Sequence, residues 1–426
     1  MNEMSFPDVG VIIGAYEAMP YLVRCLESVR AQRLAHRIEI VAVDDGSTDG
    51  TGEYLEKFAA ASTIPTRVVR QANSGGPSGP RNVGLGLARG RYVFFLDADD
   101  HLGEEALERM VAMADRAGTD VVLGKVEGVN RGAPGSMWGR TAERVDIYRS
   151  QVMFTLSAQK LFRRELIERI GLRFDEGLKA GEDALFTMEA YIRGGGVSVI
   201  SDYTCYYPVG REDGKHVTRS GGYELRFESA AALMRLITEL VPAGPERDRL
   251  LVRPFTVGLV QQFAHGIPRQ PEKARRHRME PAAPLMAQYW TPGVARHIKV
   301  SERPRLECVA LGRFDLLRDM LTFIKAETKP EVVRRGLART PRLPALRGEG
   351  HRPPGRLVRG DRARLGGQAG TGAHRAARSR TKTQVAHAQG DAATAHPGAG
   401  TVRTGLVRRR PGKARTGMSG TAARAL

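Results

Sequence analysis

From Val9 to Lys125 short β-branched apolar runs alternate with longer amphipathic ones, the pattern of βαβ units on a mostly parallel sheet. The spacing predicts strands over 9–14, 38–43, 67–70, 91–96 and 120–124. Between them Tyr21, Leu22, Cys25, Leu26 and Val29 recur at helical spacing, as do Tyr54, Leu55 and Phe58, then Ala106, Leu107, Met110 and Val111. Helices therefore link the strands. Beyond Asp120 the periodicity is mixed, with a strand-like run over 196–200 and an aromatic patch of Tyr203, Tyr206 and Tyr207. From Tyr223 to about Lys329 the pattern turns helical. This divides the chain into an α/β domain over 1–220, a helical region over 221–335 and a tail over 336–426, with no internal repeat.

Charge sharpens the last boundary. The chain holds 66 Lys and Arg against 47 Asp and Glu, and 18 and 3 of these fall in 340–426, leaving 48 against 44 before it. That stretch has no Phe, Trp, Tyr, Ile or Cys and is crowded with Gly, Ala, Arg and Pro. It cannot bury enough apolar surface to offset chain ordering, so a disordered basic tail is expected. Out-of-frame reading of a GC-rich gene yields such text, and a frameshifted terminus is the expectation; a genuine polyanion-binding tail is the competing one. The body is an ordinary globular protein, which weakens the reading of the whole chain as a non-catalytic basic polyanion-binding protein.

Three cysteines, Cys25, Cys205 and Cys308, lie far apart, which argues against a disulfide framework or a thiolate zinc site and fits a reducing cytoplasm. Neither a secretion signal nor a membrane span is expected.

Two predicted strands end directly in acids: Val43 runs into Asp44 and Asp45, and Leu96 into Asp97, Asp99 and Asp100. Open α/β sheets bind ligands at strand carboxyl ends. Asp97 and Asp99 across one spacer suit Mg²⁺ or Mn²⁺ together with phosphate oxygens; the plainer reading is a solvated acidic turn capping a helix over 103–116. Asp45 is placed to accept from a base or ribose, with Asp49 as a helix cap. The Gly/Pro-rich loop 73–82, opening a helix at Pro80, offers backbone amides and Arg81 to phosphate or ribose. Glu182 and Asp183 stand at a helix start, where compensation of the helix dipole is the simple reading. Arg211, His216 and Thr218 share a polar loop. Arg269, Lys273, Arg275, Arg276 and Arg278 form a basic run that could track a polyanion or be a solvated face.

Taken together, the segments 9–13, 43–49, 80–84, 88–100 and 181–186 resemble, in order and spacing, the family 2 inverting glycosyltransferases of GT-A fold, a Rossmann-like layered α/β architecture. Further stretches, 73–82, 128–137, 148–160, 180–191, 200–207 and 211–218, resemble the bacterial wall teichoic acid N-acetylglucosaminyltransferases that decorate poly(ribitol phosphate). The likeness runs from Val9 to Ile324 and thins after Tyr223.

The resemblance implies a UDP-sugar donor, most simply UDP-GlcNAc, an Mn²⁺ or Mg²⁺ cofactor, and an anionic polyol-phosphate or polysaccharide acceptor of the cell wall or surface. It implies no nucleic acid, a cytoplasmic location open to peripheral contact with the inner face of the membrane, and an assembly that could be a homo-oligomer. By position it implies Asp183 as catalytic base and Asp97 and Asp99 as the acids that organise the metal. Tyr16, Asp45, Arg81, Asp97, Glu182, Arg211, His216 and Thr218 would face the donor, with Asp45 on the uracil. One departure stands out: the first strand of the family ends in Pro-x-Tyr-Asn, and here reads Gly14, Ala15, Tyr16, Glu17. An acid therefore lies near the donor base. His216 aligns only with one inserted residue after Arg211.

Overall fold

The computed structural model describes residues 6–133, 135, 137–212, 222–263, 271–325, 332–335 and 338–341. The strands of its main sheet are β1 (Val9–Ala15), β2 (Ile38–Asp44), β3 (Thr66–Arg70), β4 (Tyr92–Phe95), β5 (His101–Leu102), β6 (Val121–Val126), β7 (Ala142–Val145), β8 (Leu161–Arg163) and β9 (Val197–Tyr207). Helices α1 (Tyr21–Arg30), α2 (Thr51–Ala61), α3 (Ser78–Leu87), α4 (Ala106–Ala117), α5 (Arg164–Ile170) and α6 (Glu182–Arg193) flank it. Seven more follow: α7 (Tyr223–Leu240), α8 (Pro245–Arg253), α9 (Glu272–Met279), α10 (Ala282–Tyr289), α11 (Pro292–His297), α12 (Arg303–Ala310) and α13 (Phe314–Lys325). The GT-A expectation of a layered α/β unit leading into helices matches this architecture. Of the predicted tail only Ala338–Pro341 is described, a strand antiparallel to Val332–Arg335; the rest lies outside the described residues.

The strand order is β3-β2-β1-β4-β8-β6-β9-β5, with β7 beside β9. β1, β2, β3 and β4 are parallel neighbours, and β6 pairs with β9 in parallel. The sheet is nevertheless mixed where the pattern predicts it mostly parallel, because β8 enters antiparallel between β4 and β6 and β5 and β7 add antiparallel edges to β9. These inserted strands are two to four residues long, too short to leave a period-two signal. The chain winds outward from β1 to β3, then returns to the other side of β1 as β4. That reversal opens a crevice at the carboxyl ends of β1, β2 and β4.

β1 is buried on both faces, so its apolar run is continuous rather than alternating. Val9, Val11 and Ile13 pack with α1 and α4, whereas Ile12 faces the opposite core. The second core continues without a break into the helices, through Phe227, Leu233, Met234 and Ile237 of α7.

Four rings within that core set where the acids stand. Phe95 of β4 meets Phe174 and Phe186 edge-on at 5.0 and 5.5 Å, and Phe162 of β8 meets Phe186 at 5.3 Å. Phe174 stacks flat on Phe186 at 4.1 Å. Edge-to-face and offset contacts of this kind are favourable beyond the area they bury. They clamp the first turns of α6 against the end of β4.

Candidate active site

Each wall of the crevice is held by its own acids. Asp44 accepts from the Ser47 amide at 3.1 Å and pairs with Arg70 at 3.4 Å, closing the turn after β2. Asp45 is 3% exposed, and both of its oxygens are engaged: Gln71 donates at 2.6 Å, the Ser74 amide at 3.1 Å and the Ser74 hydroxyl at 2.9 Å. Gly46, at φ +81°, lets the turn press against the Asn73 backbone without a side chain in the way. Asp45 therefore organises the loop 71–74. Asp49 accepts from the Met19 and Thr51 amides at 2.9 and 3.0 Å, just ahead of the Gly50 cap of α2.

Arg81 lies on α3 at the floor of the crevice, its side chain 8% exposed. Nη2 donates to Asp97 Oδ1 at 2.9 Å; Nη1 donates to Asp183 Oδ1 at 2.5 Å and to Glu182 Oε1 at 3.2 Å. One guanidinium thus joins the end of β4 to the start of α6. Burial opposes its charge, but Asp183, Asp97 and Glu182 outweigh this and raise its pKa above the ordinary arginine value. Its Cζ lies 5.3 Å from the centre of the Phe174 ring, a residue that Asn82 brackets by donating to the Phe174 carbonyl and accepting from its amide, both at 2.9 Å. Burial first, then the neighbouring Asp183, pushes Glu182 up to about 7, with Arg81 opposing. A glycine cap at φ +90°, Gly181, places these acids at the helix start.

The acidic turn after β4 does not cap α4, because β5 intervenes and Glu105 occupies the cap. The second oxygen of Asp97, Oδ2, accepts from Gln159 Nε2 at 2.7 Å. Asp99 is half-buried beside it. Asp100 faces away from the crevice, 4% exposed, and is pushed up to about 8 by burial and then by Asp97 and Asp99. Among the described residues no three His, Cys, Asp or Glu side chains converge in a metal-holding cluster. Two acids across one spacer are the donor type that a hard cation takes beside phosphate and water oxygens; here Asp97 has both oxygens on Arg81 and Gln159, which leaves the half-buried Asp99 as the acid nearest to fitting that role.

Tyr16 stands at the exit of β1, 54% exposed. Glu17 follows at φ +46°, accepting from the Thr48 amide at 2.7 Å and hydroxyl at 2.9 Å, so the unexpected acid ties the β1 exit to the turn after β2. Arg211 donates to the Glu17 carbonyl at 3.0 Å. The structure thus brings Tyr16, Arg211, Asp45, Arg81, Asp97, Asp99, Glu182 and Asp183 to one sheet edge and its facing helix start. His216 and Thr218 lie outside the described residues.

Two buried neighbours have no counterpart in the sequence reading. Gln159 and Lys160 belong to the irregular segment before β8, which has no periodicity to mark them. Lys160, 1% exposed, donates to the Ser157 carbonyl, and burial lowers its pKa to about 7 while Asp183 opposes the shift and Arg253 adds to it. Of the basic run, Arg276 pairs with Glu272 at 2.7 Å within α9, and Arg278 donates to the Gln262 carbonyl at 3.2 Å. Arg269 lies outside the described residues.

Residues 10–171 match the glycosyl transferase family 2 domain, and residues 224–321 match the glycosyl transferase TarS linker domain. The succinoglycan biosynthesis protein ExoO of Rhizobium meliloti is 32% identical over 275 residues, 61% of this chain and 72% of that protein. The chain belongs to glycosyl transferase family 2. The chain is also similar to the poly(ribitol-phosphate) beta-glucosyltransferase of Bacillus spizizenii, 38% identical over 212 residues, 49% of this chain and 33% of that one. The poly(ribitol-phosphate) beta-N-acetylglucosaminyltransferase TarS of Staphylococcus aureus is 40% identical over 247 residues, 57% and 42% of the two chains. The chain therefore spans between a third and a half of the length of these two curated relatives. Its structure superposes on S. aureus TarS 1–349 in complex with UDP-GlcNAc with a TM-score of 0.70 at 28% identity, covering 81% of this chain and 98% of that one. Among the described residues no helix is long and apolar enough to cross a membrane.

Proposed function

We propose that this glycosyltransferase moves a sugar, GlcNAc first among the candidates, from a UDP-sugar to a hydroxyl of a polyol-phosphate cell-wall polymer, with inversion. The carrying observation is the Arg81 bridge, which holds an acid suited to the diphosphate side, Asp97, and an acid suited to the acceptor side, Asp183, on one guanidinium. Likeness to TarS with UDP-GlcNAc and to two poly(ribitol-phosphate) transferases supports the donor and acceptor classes. The separate family matches support a boundary near residue 220 between the catalytic domain and a helical acceptor-side region.

In this reading the base of the donor lies against Tyr16 and the loop that Asp45 organises. Arg211 reaches the diphosphate, with His216 and Thr218 following it in sequence. Arg81 fixes Asp97, and Asp99, with Asp97 beside it, would hold Mn²⁺ or Mg²⁺. When bound, the cation supplies countercharge for the departing diphosphate, an effect worth several kcal/mol in metal-assisted reactions. Asp183, 26% exposed at the start of α6, accepts the proton of the acceptor hydroxyl as its oxygen attacks the anomeric carbon from the face opposite the diphosphate. Glu182, buried beneath, shares Arg81 with it. The basic face of α9 offers its cations to the acceptor phosphates.

The match to a succinoglycan biosynthesis protein favours a second acceptor class, another cell-surface polysaccharide. One experiment tests both. The purified chain is given a panel of UDP-sugars with Mn²⁺, Mg²⁺ or EDTA, and poly(ribitol phosphate), poly(glycerol phosphate) or a neutral polysaccharide. The expected outcome is metal-dependent transfer of GlcNAc to a polyol phosphate, with the new linkage β by NMR. Transfer that survives EDTA, or an α product, overturns the mechanism; transfer to the neutral polymer alone overturns the acceptor.

A further inference from the structure

The chain leaving β9 is tied to the crevice at both ends. Tyr206 donates its hydroxyl to Asp100 Oδ2 at 2.5 Å, and the Val209 amide donates to Asp100 Oδ1 at 2.7 Å. Two residues on, Arg211 donates to the Glu17 carbonyl at 3.0 Å and lies 4.9 Å from the centre of the Tyr21 ring. The Glu212 amide donates to the Tyr21 hydroxyl at 3.0 Å. A strap over 206–212 therefore starts on the turn that carries Asp97 and Asp99 and finishes at the exit of β1.

Asp100 is what fastens its first half. Its carboxyl group is buried and turns both oxygens to the strap, while its amide donates to the Asp97 carbonyl at 3.0 Å. An amide side chain at this position would have only one oxygen to offer. The second acceptor atom is what fixes Tyr206 and Val209 together, and the distance from Val209 to Arg211 is too short for much slack.

We propose that Asp100 is a positioning residue for donor binding: it locks the strap to the acidic turn and so holds Arg211 over the exit of β1, on the donor side of the crevice. This rests on the donor-side role of Arg211 given above. Asp100 touches neither donor nor cation. It acts through Arg211.

The test is UDP binding to the full chain by calorimetry with Mn²⁺, for Asp100→Asn, Tyr206→Phe, Arg211→Ala and the combinations of each of the first two with the third. Thermal melting reports folding. Asp100→Asn and Arg211→Ala are each expected to weaken UDP by about tenfold, the scale of one charged hydrogen bond. Each double variant should be no weaker than Arg211→Ala alone, since coupled residues are non-additive. A double variant whose loss equals the product of its two single losses overturns the proposal. So does wild-type affinity in both Asp100→Asn and Tyr206→Phe when Arg211→Ala binds poorly, an outcome that leaves the proposed function standing. Wild-type affinity in Arg211→Ala overturns the donor-side role of Arg211, and the proposal with it. Should Asp100→Asn fail to fold, the Tyr206→Phe pair decides by the same comparison.

Discussion

Arg81 Nη1 stands 2.5 Å from Asp183 Oδ1, a contact between α3 and α6 across 102 positions of sequence. Its strength depends on Arg81 being buried and on Asp97 and Glu182 sharing the same cation. Replacing Arg81 with Met leaves three carboxylates facing one another without a counterion. Breaking a buried pair by removing one partner typically costs about 3–5 kcal/mol. Because Asp97 and Asp183 are 36% and 26% exposed, the lower end is expected. Chemical denaturation measures it, and a loss under about 1 kcal/mol would show that the acids relax into solvent instead.

Asp183→Asn removes the proposed proton acceptor and leaves Arg81 bound to Asp97 and Glu182. Transfer should fall roughly 10²–10⁴-fold, the usual contribution of a positioned base, while UDP affinity stays near that of the native chain. Single-turnover transfer beside calorimetry separates the two. A near-native rate in this variant refutes the assignment.

Gly181→Ala tests how the acid pair is placed. At φ +90° a Cβ is strained whatever its surroundings, and here it would also run into the Ser229 side chain of α7. A destabilisation of more than about 1 kcal/mol is expected, as for alanine at other positive-φ sites. Ser229→Ala should restore part of it. If the pair of changes is simply additive, backbone strain alone accounts for the glycine.

Lys160 makes stability pH-dependent in a definite direction. Its pKa falls from 10.5 to about 7 on folding, mainly through burial. Below the folded value the lysine is charged in both states and its burial penalty is fully present. Between the two values the unfolded chain binds more protons, so stability rises with pH across that window. Lys160→Met should therefore be more stabilising, or less destabilising, near pH 7 than near about pH 10. Urea melts of both chains at the two pH values check this, and an opposite trend would place the ammonium in a stabilising pair.

The acids at strand ends were legible in the sequence because a continuous apolar run announces a buried strand and its polar terminus announces the crevice. β1, β2 and β4 lie within two residues of the spans that pattern predicts. What it could not show is convergence. Nothing in the segment around Pro80 reveals that Arg81 meets acids 16 and more than 100 residues away. Gln159 was invisible for a related reason: it is placed by the three-residue β8, and only the fold turns it toward Asp97. Asp45 shows the reverse case, an acid whose type and position suggest direct contact with a ligand but whose oxygens are taken by Gln71 and Ser74.

Phe95, Phe162, Phe174 and Phe186 form a dry wedge between the strand that ends at the acidic turn and the helix that begins with Asp183. Hydrocarbon contact, unlike charge attraction, is barely screened by dissolved ions. Under the proposed function, salt would thus loosen the grip on a polyanionic acceptor without widening the gap between Asp97 and Asp183. Affinity and chemical geometry are consequently free to drift apart over evolutionary time, one tuned at the surface and the other kept in the interior.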